Sequence, residues 1–528
     1  MTSVQPNKWL VAISVTTGAV MAAIDTSILN VATPHLQGVF SATVAEISWI
    51  STGYLVAVVL TMPLAGWLCS LYGRKTVCQA GLVIFILSSL LCGVATDLNF
   101  LIFARILQGF GAGILLPVEQ VILRQAFPPK EQGLAMGIYG LTVMLGPALG
   151  PVLGGIIIDH FHWSLMFYIN LPIGLIGYLM VHRFVIEPPR EESKINGANT
   201  GIPKVDWFGI ITLTLAMFPL LWLLERGERL YWFETPSNVA LLVLSLSSFI
   251  MFCIHEWVTP NPAVDLRILV NRAFSSAILM NFLLGFIVAA SLFILPIYMQ
   301  EVLEYSATQA GVALVPRAIV MMLAFPLCGY LFSRLPARLL IAAGLGLGLY
   351  SAILMTRFTH ESGLYDIILP QVLQGLSVAL VLTPISTLAL MHVRKDKLPA
   401  AAGLNGFSRQ LGGSLGIAIF ASMLSHFELA VRGAFIHHIN EASIMVNARF
   451  SNVIQFFYSQ NVVGETTALQ QAYSRLNGRV EEQIVVMSYL KAFEWITVLF
   501  VVMIACLFFL KPAQTKEQIS HKTALSKT

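Results

Sequence analysis

Residues 105–120 read Arg105-Ile106-Leu107-Gln108-Gly109-Phe110-Gly111-Ala112-Gly113-Ile114-Leu115-Leu116-Pro117-Val118-Glu119-Gln120. With its apolar flanks the run is long enough to cross a membrane as a helix. It nevertheless carries an arginine and a glutamate, groups that are costly in a bilayer and that face a cavity or a partner. Part of it returns further on: Ile106-Leu107-Gln108-Gly109 recurs as Val372-Leu373-Gln374-Gly375, offset by 266 residues. Gly146-Pro147-Ala148-Leu149-Gly150 recurs as Gly412-Gly413-Ser414-Leu415-Gly416, again at 266, and Gly66-Trp67-Leu68-Cys69-Ser70 as Gly329-Tyr330-Leu331-Phe332-Ser333 at 263. Three matches in one order at nearly one offset mark a duplicated unit. Parallel halves of this kind are the architecture of a rocking transporter, with the substrate site between them near mid-membrane.

Composition agrees with a membrane chain. Of 528 residues 57% are hydrophobic and only 11% charged, with a mean hydropathy of +0.78. Soluble domains carry about 25% charged residues, so an ordinary soluble enzyme and a disordered chain are both excluded. The net charge of +4 is small and scattered, which excludes a nucleic-acid binder. All six cysteines lie inside apolar runs and read as free core thiols. Fourteen apolar segments are predicted, near 9–32, 47–69, 77–94, 100–122, 134–158, 165–184, 207–225, 237–258, 274–299, 311–332, 339–357, 365–389, 403–424 and 489–511. The expected fold is an all-α polytopic membrane protein. Two six-helix halves, 1–190 and 266–528, flank a linker with two extra helices, 191–265.

Lys8, Arg74, Lys75, Arg124, Lys130, Arg183, Arg190, Lys194, Lys204, Arg267, Arg272, Arg334, Arg338, Arg394, Lys395, Lys397 and the lysines of the tail fall on one side of these spans. Arg226 and Arg229 are the exceptions on the other side. The asymmetry puts both termini in the cytoplasm and the long segment 425–488 outside. That segment is expected to fold as amphipathic helices against the membrane or a partner.

Asp25 is the only acid of the first span, and an acid deep in a span reads as a functional group. It is the first candidate for proton coupling, Glu119 the second, and Arg105 would organise the site. Gly109 and Gly113 form a small-residue packing face, and Pro117 can kink its helix. Gly146, Pro147, Gly150, Pro151, Gly154 and Gly155 would allow a very close, pliable helix crossing. In the loop after span 2, Gly66 permits close approach and Gly73 a tight turn. Arg74 and Lys75 there could pair with acids or with helix C-terminal carbonyls. Asn30, Gln108, Gln120, Arg317 and Arg409 complete the candidates for a substrate cavity. The spacing of His426, His437 and His438 is poor for a metal, so neither a metal nor a cofactor is expected. Gly412-Gly413-Ser414-Leu415-Gly416 fits the nucleophile-elbow pattern, but it sits inside an apolar span rather than a strand–turn–helix.

Taken in order, these motifs resemble the major facilitator superfamily, and within it the fourteen-span EmrB/QacA-type drug:proton antiporters. Asp25-Thr26-x-Ile28-x-Asn30-Val31-Ala32-x-Pro34 resembles that group's first-span signature. Gly66 to Lys75 resembles the cytoplasmic loop motif, Arg105 to Gly113 the span 4 motif, and Gly146 to Gly155 the span 5 antiporter motif. Trp163-x-x-x-Phe167-x-Ile169-Asn170-Leu171-Pro172-x-Gly174 and Arg409-Gln410-x-Gly412-Gly413 resemble later motifs of the same set. The chain departs from the pattern at Ser70, where an acid is usual, at Ser164, where arginine is frequent, and at Glu119, where a small polar residue is common. An extra acid in the cavity favours cationic substrates or a second proton. The resemblance implies export of amphipathic drugs or other small toxic compounds across the inner membrane, coupled to proton entry. It also implies a periplasmic adaptor docked on the outer segment. Export of an endogenous metabolite, such as a siderophore or lipid-like compound, is the alternative within transport. A multispan membrane enzyme would need catalytic groups converging at one face, and the sequence offers none.

Overall fold

The computed structural model describes residues 7–187, 205–227, 232–391, 393–438 and 465–508. The described residues are almost entirely helical and contain no strand. Twelve of their helices are long and apolar enough to cross a membrane, or thirteen if the bent pair 49–61 and 65–72 is one span. A further 29-residue helix, Gln132–His160, lies at the fifth expected position. Large apolar side chains such as Ile13, Leu87, Phe103, Leu175, Ile250 and Leu323 are exposed on the outside of the bundle. In a membrane protein that surface faces lipid rather than water.

The first half comprises α1 (Lys8–Val39), the short α2 (Val44–Ile47), α3 (Trp49–Thr61), α4 (Ala65–Tyr72), α5 (Arg74–Gly93), α6 (Leu98–Ala126), α7 (Gln132–His160), the short α8 (Leu165–Tyr168) and α9 (Asn170–Phe184). Local chemistry sets the breaks. Asn7 caps α1 by accepting from the Trp9 amide, and Asp97 caps α6 by accepting from Phe100 at 2.9 Å. Pro63 cannot donate to the carbonyl four residues back, and the chain bends by 57° between α3 and α4. Gly73, at φ +83°, takes the left-handed turn from α4 into α5. Two helices follow outside the repeat, α10 (Trp207–Arg226) and α11 (Pro236–Val258).

The second half comprises α12 (Arg272–Glu301), α13 (Ala307–Phe332), α14 (Ala337–Met355), α15 (Leu364–Met391), α16 (Leu398–His438) and α17 (Glu465–Leu507). At 1.5 Å per residue, α16 and α17 run about 60 Å each, twice the ~30 Å hydrocarbon core. Residues 425–438 prolong α16 and residues 465–488 open α17, where the sequence reading ended the span at 424 and began the next at 489. Arg432 ties the two extensions together, 2.5 Å from Glu481. Residues 439–464 and the expected linker residues 188–204 lie outside the described residues.

The halves meet tightly at the end that carries the basic loops. A Cβ on Gly66 would strike the backbone of Ala400, and one on Gly133 would strike Gly329. One turn further in, Gly403 abuts the carbonyl of Met62, and Gly137 abuts that of Phe325. Met62 and Phe325 are 263 residues apart, Gly137 and Gly403 266 apart. These are the offsets of the sequence repeat, so one contact is made twice about a pseudo-twofold axis.

Candidate functional site

Asp25, on α1, and Arg105, on α6, form an ion pair of 2.5 Å with both side chains buried. Gln108, one turn above Arg105, donates its amide to the other Asp25 oxygen at 2.9 Å and accepts from the same guanidinium nitrogen. Asn170, at the start of α9, donates to Asp25 at 2.7 Å, and Ser89 on α5 accepts from Gln108 at 2.8 Å. The Tyr54 ring covers the guanidinium at 4.3 Å, a cation–π contact. A buried ion pair is tolerable only when further hydrogen bonds satisfy its atoms, and here Asp25 accepts three. Tyr54, Ser89 and Asn170 stand outside the sequence-predicted site. Asn170 sat in a quoted motif without a role, while Tyr54 and Ser89 carry no local signal and join only through helix packing.

The glycines of α7 explain the close approach to this pair. A Cβ on Gly146 would strike Ala23 and one on Gly150 would strike Ser27, on either side of Asp25. Gly154 touches Ile28 and Val31, whereas Gly155 faces open space. The side chains of Asn30, Pro147 and Pro151 lie outside those described. Gly109 and Gly113 seat α6 against Tyr54, Ala57 and Val58 of α3.

Glu119 is 1% exposed, and among the described residues its carboxyl meets no side-chain partner and only the α1 backbone at Ala19. It lies under α1, where a Cβ on Gly18 would overlap its Oε1. It does not line the cavity between the halves. That cavity encloses about 310 Å³, with aliphatic walls from Leu55, Val143, Leu224, Leu284 and Val378. Its polar groups include Arg409 and Gln410 of α16 and, on the extra helix α10, Glu225. A volume near 300 Å³ with few polar groups suits a small amphipathic ligand. A second, water-sized chamber of about 10 Å³ adjoins Arg409, lined also by Gln120, Tyr139 and Asn405.

Arg317 is placed apart from both spaces. It is buried and donates to Gln374 at 2.9 Å, and Gln374 donates to Ser291 at 2.8 Å. In the loop motif, the acid missing at Ser70 is supplied from elsewhere. The Glu187 carboxylate accepts from the backbone amides of Arg74 and Lys75 at 3.0 and 2.7 Å, at the N-terminus of α5. Lys75 donates to the His182 carbonyl at 2.7 Å, and Ser70 bonds only its own helix, at Trp67. All six cysteines are free, and the described residues hold no cluster suited to a metal.

The Major Facilitator Superfamily model matches residues 15–417. The chain belongs to this superfamily. Among its relatives are the multidrug export protein EmrB of Escherichia coli, 30% identical over 95% of this chain and 95% of the relative, and the fatty acid resistance protein FarB of Neisseria gonorrhoeae, 29% identical over 93% and 94%. Solved superfamily structures share the fold. The human organic anion transporter MFSD10 aligns at a TM-score of 0.62 and 14% identity, over 96% of this chain and all of that one. The proton:xylose symporter XylE aligns at 0.55 and 12%, over 93% and 96%. The chain is thus a multi-pass membrane transporter and not an enzyme.

Proposed function

We propose that this protein exports amphipathic drugs or other small toxic compounds across the inner membrane in exchange for protons. The export activity named for EmrB supports the reading. The basic end, where α1 and α16 begin, is then cytoplasmic together with both termini, as the lysine and arginine bias requires. In that orientation the described conformation is closed to the cytoplasm by its paired glycine contacts. The halves are proposed at 1–190 and 266–528 with the insert at 191–265, and the outer segment 425–488 as the seat of a periplasmic adaptor.

One observation carries the coupling: the two buried acids of the first half differ in their partners. Asp25 is pinned by Arg105, Gln108 and Asn170, whereas Glu119 has no side-chain partner among the described residues and only the Ala19 backbone beside it. A buried carboxylate without a charged partner is costly to keep ionised, and we assign the exchanged proton to Glu119. It can lose that proton when the halves rock and water reaches it. Asp25 and Arg105 instead hold α1, α6 and α9 in register. The order expected from sequence, Asp25 before Glu119, is reversed in this reading. The loop of Gly66, Gly73, Arg74 and Lys75 acts as the cytoplasmic latch.

The test is transport of two dyes, ethidium and 1-anilinonaphthalene-8-sulfonate, into inside-out vesicles driven by a pH gradient. We expect the wild-type protein to accumulate at least one of them only while the gradient stands. Glu119→Gln should lose gradient-driven accumulation yet keep downhill exchange of the same dye. Accumulation by Glu119→Gln at the wild-type level moves the exchanged proton to Asp25.

A further inference from the structure

The halves meet along two seams that the pseudo-twofold axis makes equivalent. At the repeat offsets α3 and α4 correspond to α13, and α7 to α16. At one seam α7 packs along α13. At the other, α16 packs against α4 but meets α3 only sparsely, and α10 stands in the gap, in contact with both α3 and α16. A helix from outside the repeat therefore opens one seam of a fold that is otherwise paired. Leu213, Met217 and Leu221 of α10 share a core with Val56, Val59 and Leu60 of α3. From behind, Ser245 of α11 donates its hydroxyl to the Ala216 carbonyl at 2.6 Å. In the last turn of α10 the Arg226 guanidinium lies 5.0 Å over the Trp49 ring, at the start of α3. These contacts fix α10 in place as a wall.

That wall faces the cavity between the halves. Leu221, Leu224 and Glu225 line it, spaced three and four apart on one helix face. Among the described residues of the lining, only Glu225 and Arg409 carry a formal charge. Their depths differ. At 1.5 Å per residue from the basic-loop end, Glu225 lies about 27 Å along α10 and Arg409 about 16 Å along α16. The carboxylate thus stands towards the mouth and the guanidinium deeper, in a lining that is otherwise uncharged and mostly aliphatic. Glu225 is exposed, and among the described residues it takes part in no ion pair. Its charge is free to meet a ligand. A bulky apolar cation entering here meets an attracting carboxylate first and a repelling guanidinium only at depth. An anion of the same shape meets the reverse.

We propose that Glu225 is the residue that selects cationic amphiphiles in this cavity, supplied by a helix that the duplicated halves do not contain. The inference rests on the export reading above, in which the cavity holds the exported compound, and not on which acid carries the proton.

The experiment is equilibrium dialysis of the purified protein in detergent and sodium buffer, with tetraphenylphosphonium and tetraphenylborate. The two ions share one shape and differ in the sign of their charge, and binding needs no proton gradient. Glu225→Gln should weaken phosphonium binding about fivefold at low salt, the scale of one exposed ion pair, and should not weaken borate binding. The phosphonium loss should shrink as salt rises, because an exposed pair is screened. Glu225→Lys should reverse the order of the two affinities. A structural role for Glu225 would move both ions in the same direction. Equal losses of both ions in Glu225→Gln would overturn the inference, as would unchanged phosphonium binding in Glu225→Lys. A wild-type protein that binds neither ion would instead overturn the export reading itself.

Discussion

The two halves hold the same polar scaffold with opposite electrostatics. At the repeat offset of 266, Gln108 corresponds to Gln374 and Arg105 to Gln371; Asp25, at the 263 offset of the early spans, corresponds to Val288, and the group that the second-half glutamine reaches instead is Ser291. Each glutamine donates to one polar group of the first helix of its half: Gln108 to Asp25 at 2.9 Å, and Gln374 to Ser291 at 2.8 Å. The charges differ. The first half has an ion pair and a second buried acid. The second half has the cation Arg317, which comes from α13 rather than from the α15 position equivalent to Arg105, and no acid beside it. Gln371, in the place of Arg105, is fully buried, and among the described residues neither end of its amide is bonded. A duplicated fold has therefore kept its helix contacts twice and its protonatable chemistry once. Helix packing at the end of the basic loops must be symmetric for the halves to rock, whereas in the proposed exchange a proton needs only one path.

The largest expected effect comes from removing one member of the first-half pair. Arg105→Ala leaves Asp25 buried without its cation, and breaking a buried pair this way costs about 3–5 kcal/mol. The equivalent Gln371→Leu removes an amide that makes no hydrogen bond and fills the same space, so stability should hold or rise. Thermal unfolding of the two purified variants in detergent reads the difference. Equal destabilisation by both would mean that the ion pair has no special structural weight.

Most of the fold was legible in the sequence because hydropathy and the 266-residue echo both survive averaging over helices. Helix ends were less legible. The continuation of α16 past 424, and of α17 back to 465, uses polar residues that a hydropathy reading assigns to a loop, while pairs such as Arg432 with Glu481 hold them helical. Asp25, Arg105 and Glu119 were legible singly, because an ionisable group in a span is costly wherever it sits. Their partners were not. Nothing local in Ser89 or Tyr54 indicates that α5 and α3 bring them to Asp25 and Arg105. Nor does the sequence tell that Glu119 points under Gly18 instead of into the cavity. Glu187, which supplies the acid lacking at Ser70, is 117 residues away in the chain.

An intermediate effect tests the symmetric part. Gly137→Ala and Gly403→Ala each place a methyl against a carbonyl of the opposite half, Phe325 in one case and Met62 in the other. Overpacking of this kind costs about 1–3 kcal/mol, and here only the closed end at the basic loops bears it. The reporter is a cysteine introduced at Ala400, which the closed contact sets against Gly66. Both variants should raise its labelling from the cytoplasmic side, in a background without the native cysteines, by similar factors of roughly five- to a hundredfold. Transport should slow alike in both. A large effect in one half and none in the other would show that the two contacts, though equivalent in position, do not close together.

The smallest effect is expected from giving the second half the acid it lacks. Ser291→Asp puts a carboxylate where Gln374 already donates, with Arg317 on the far side of that amide. A buried pair gained in this way roughly balances desolvation against attraction, so stability should change by no more than about 1 kcal/mol. The sharper readout is stoichiometry. If a pinned carboxylate only holds helices in register, as Asp25 does in the reading above, the new acid adds no exchanged proton, and the number of protons moved per dye remains that of the wild type. A second proton per dye in Ser291→Asp would show that any acid at this level of the bundle couples. Asp25 would then rank again with Glu119, and the contrast between pinned and unpinned acids would lose its mechanistic meaning. An unchanged ratio, with normal folding, ties proton exchange to the acid that has no side-chain partner.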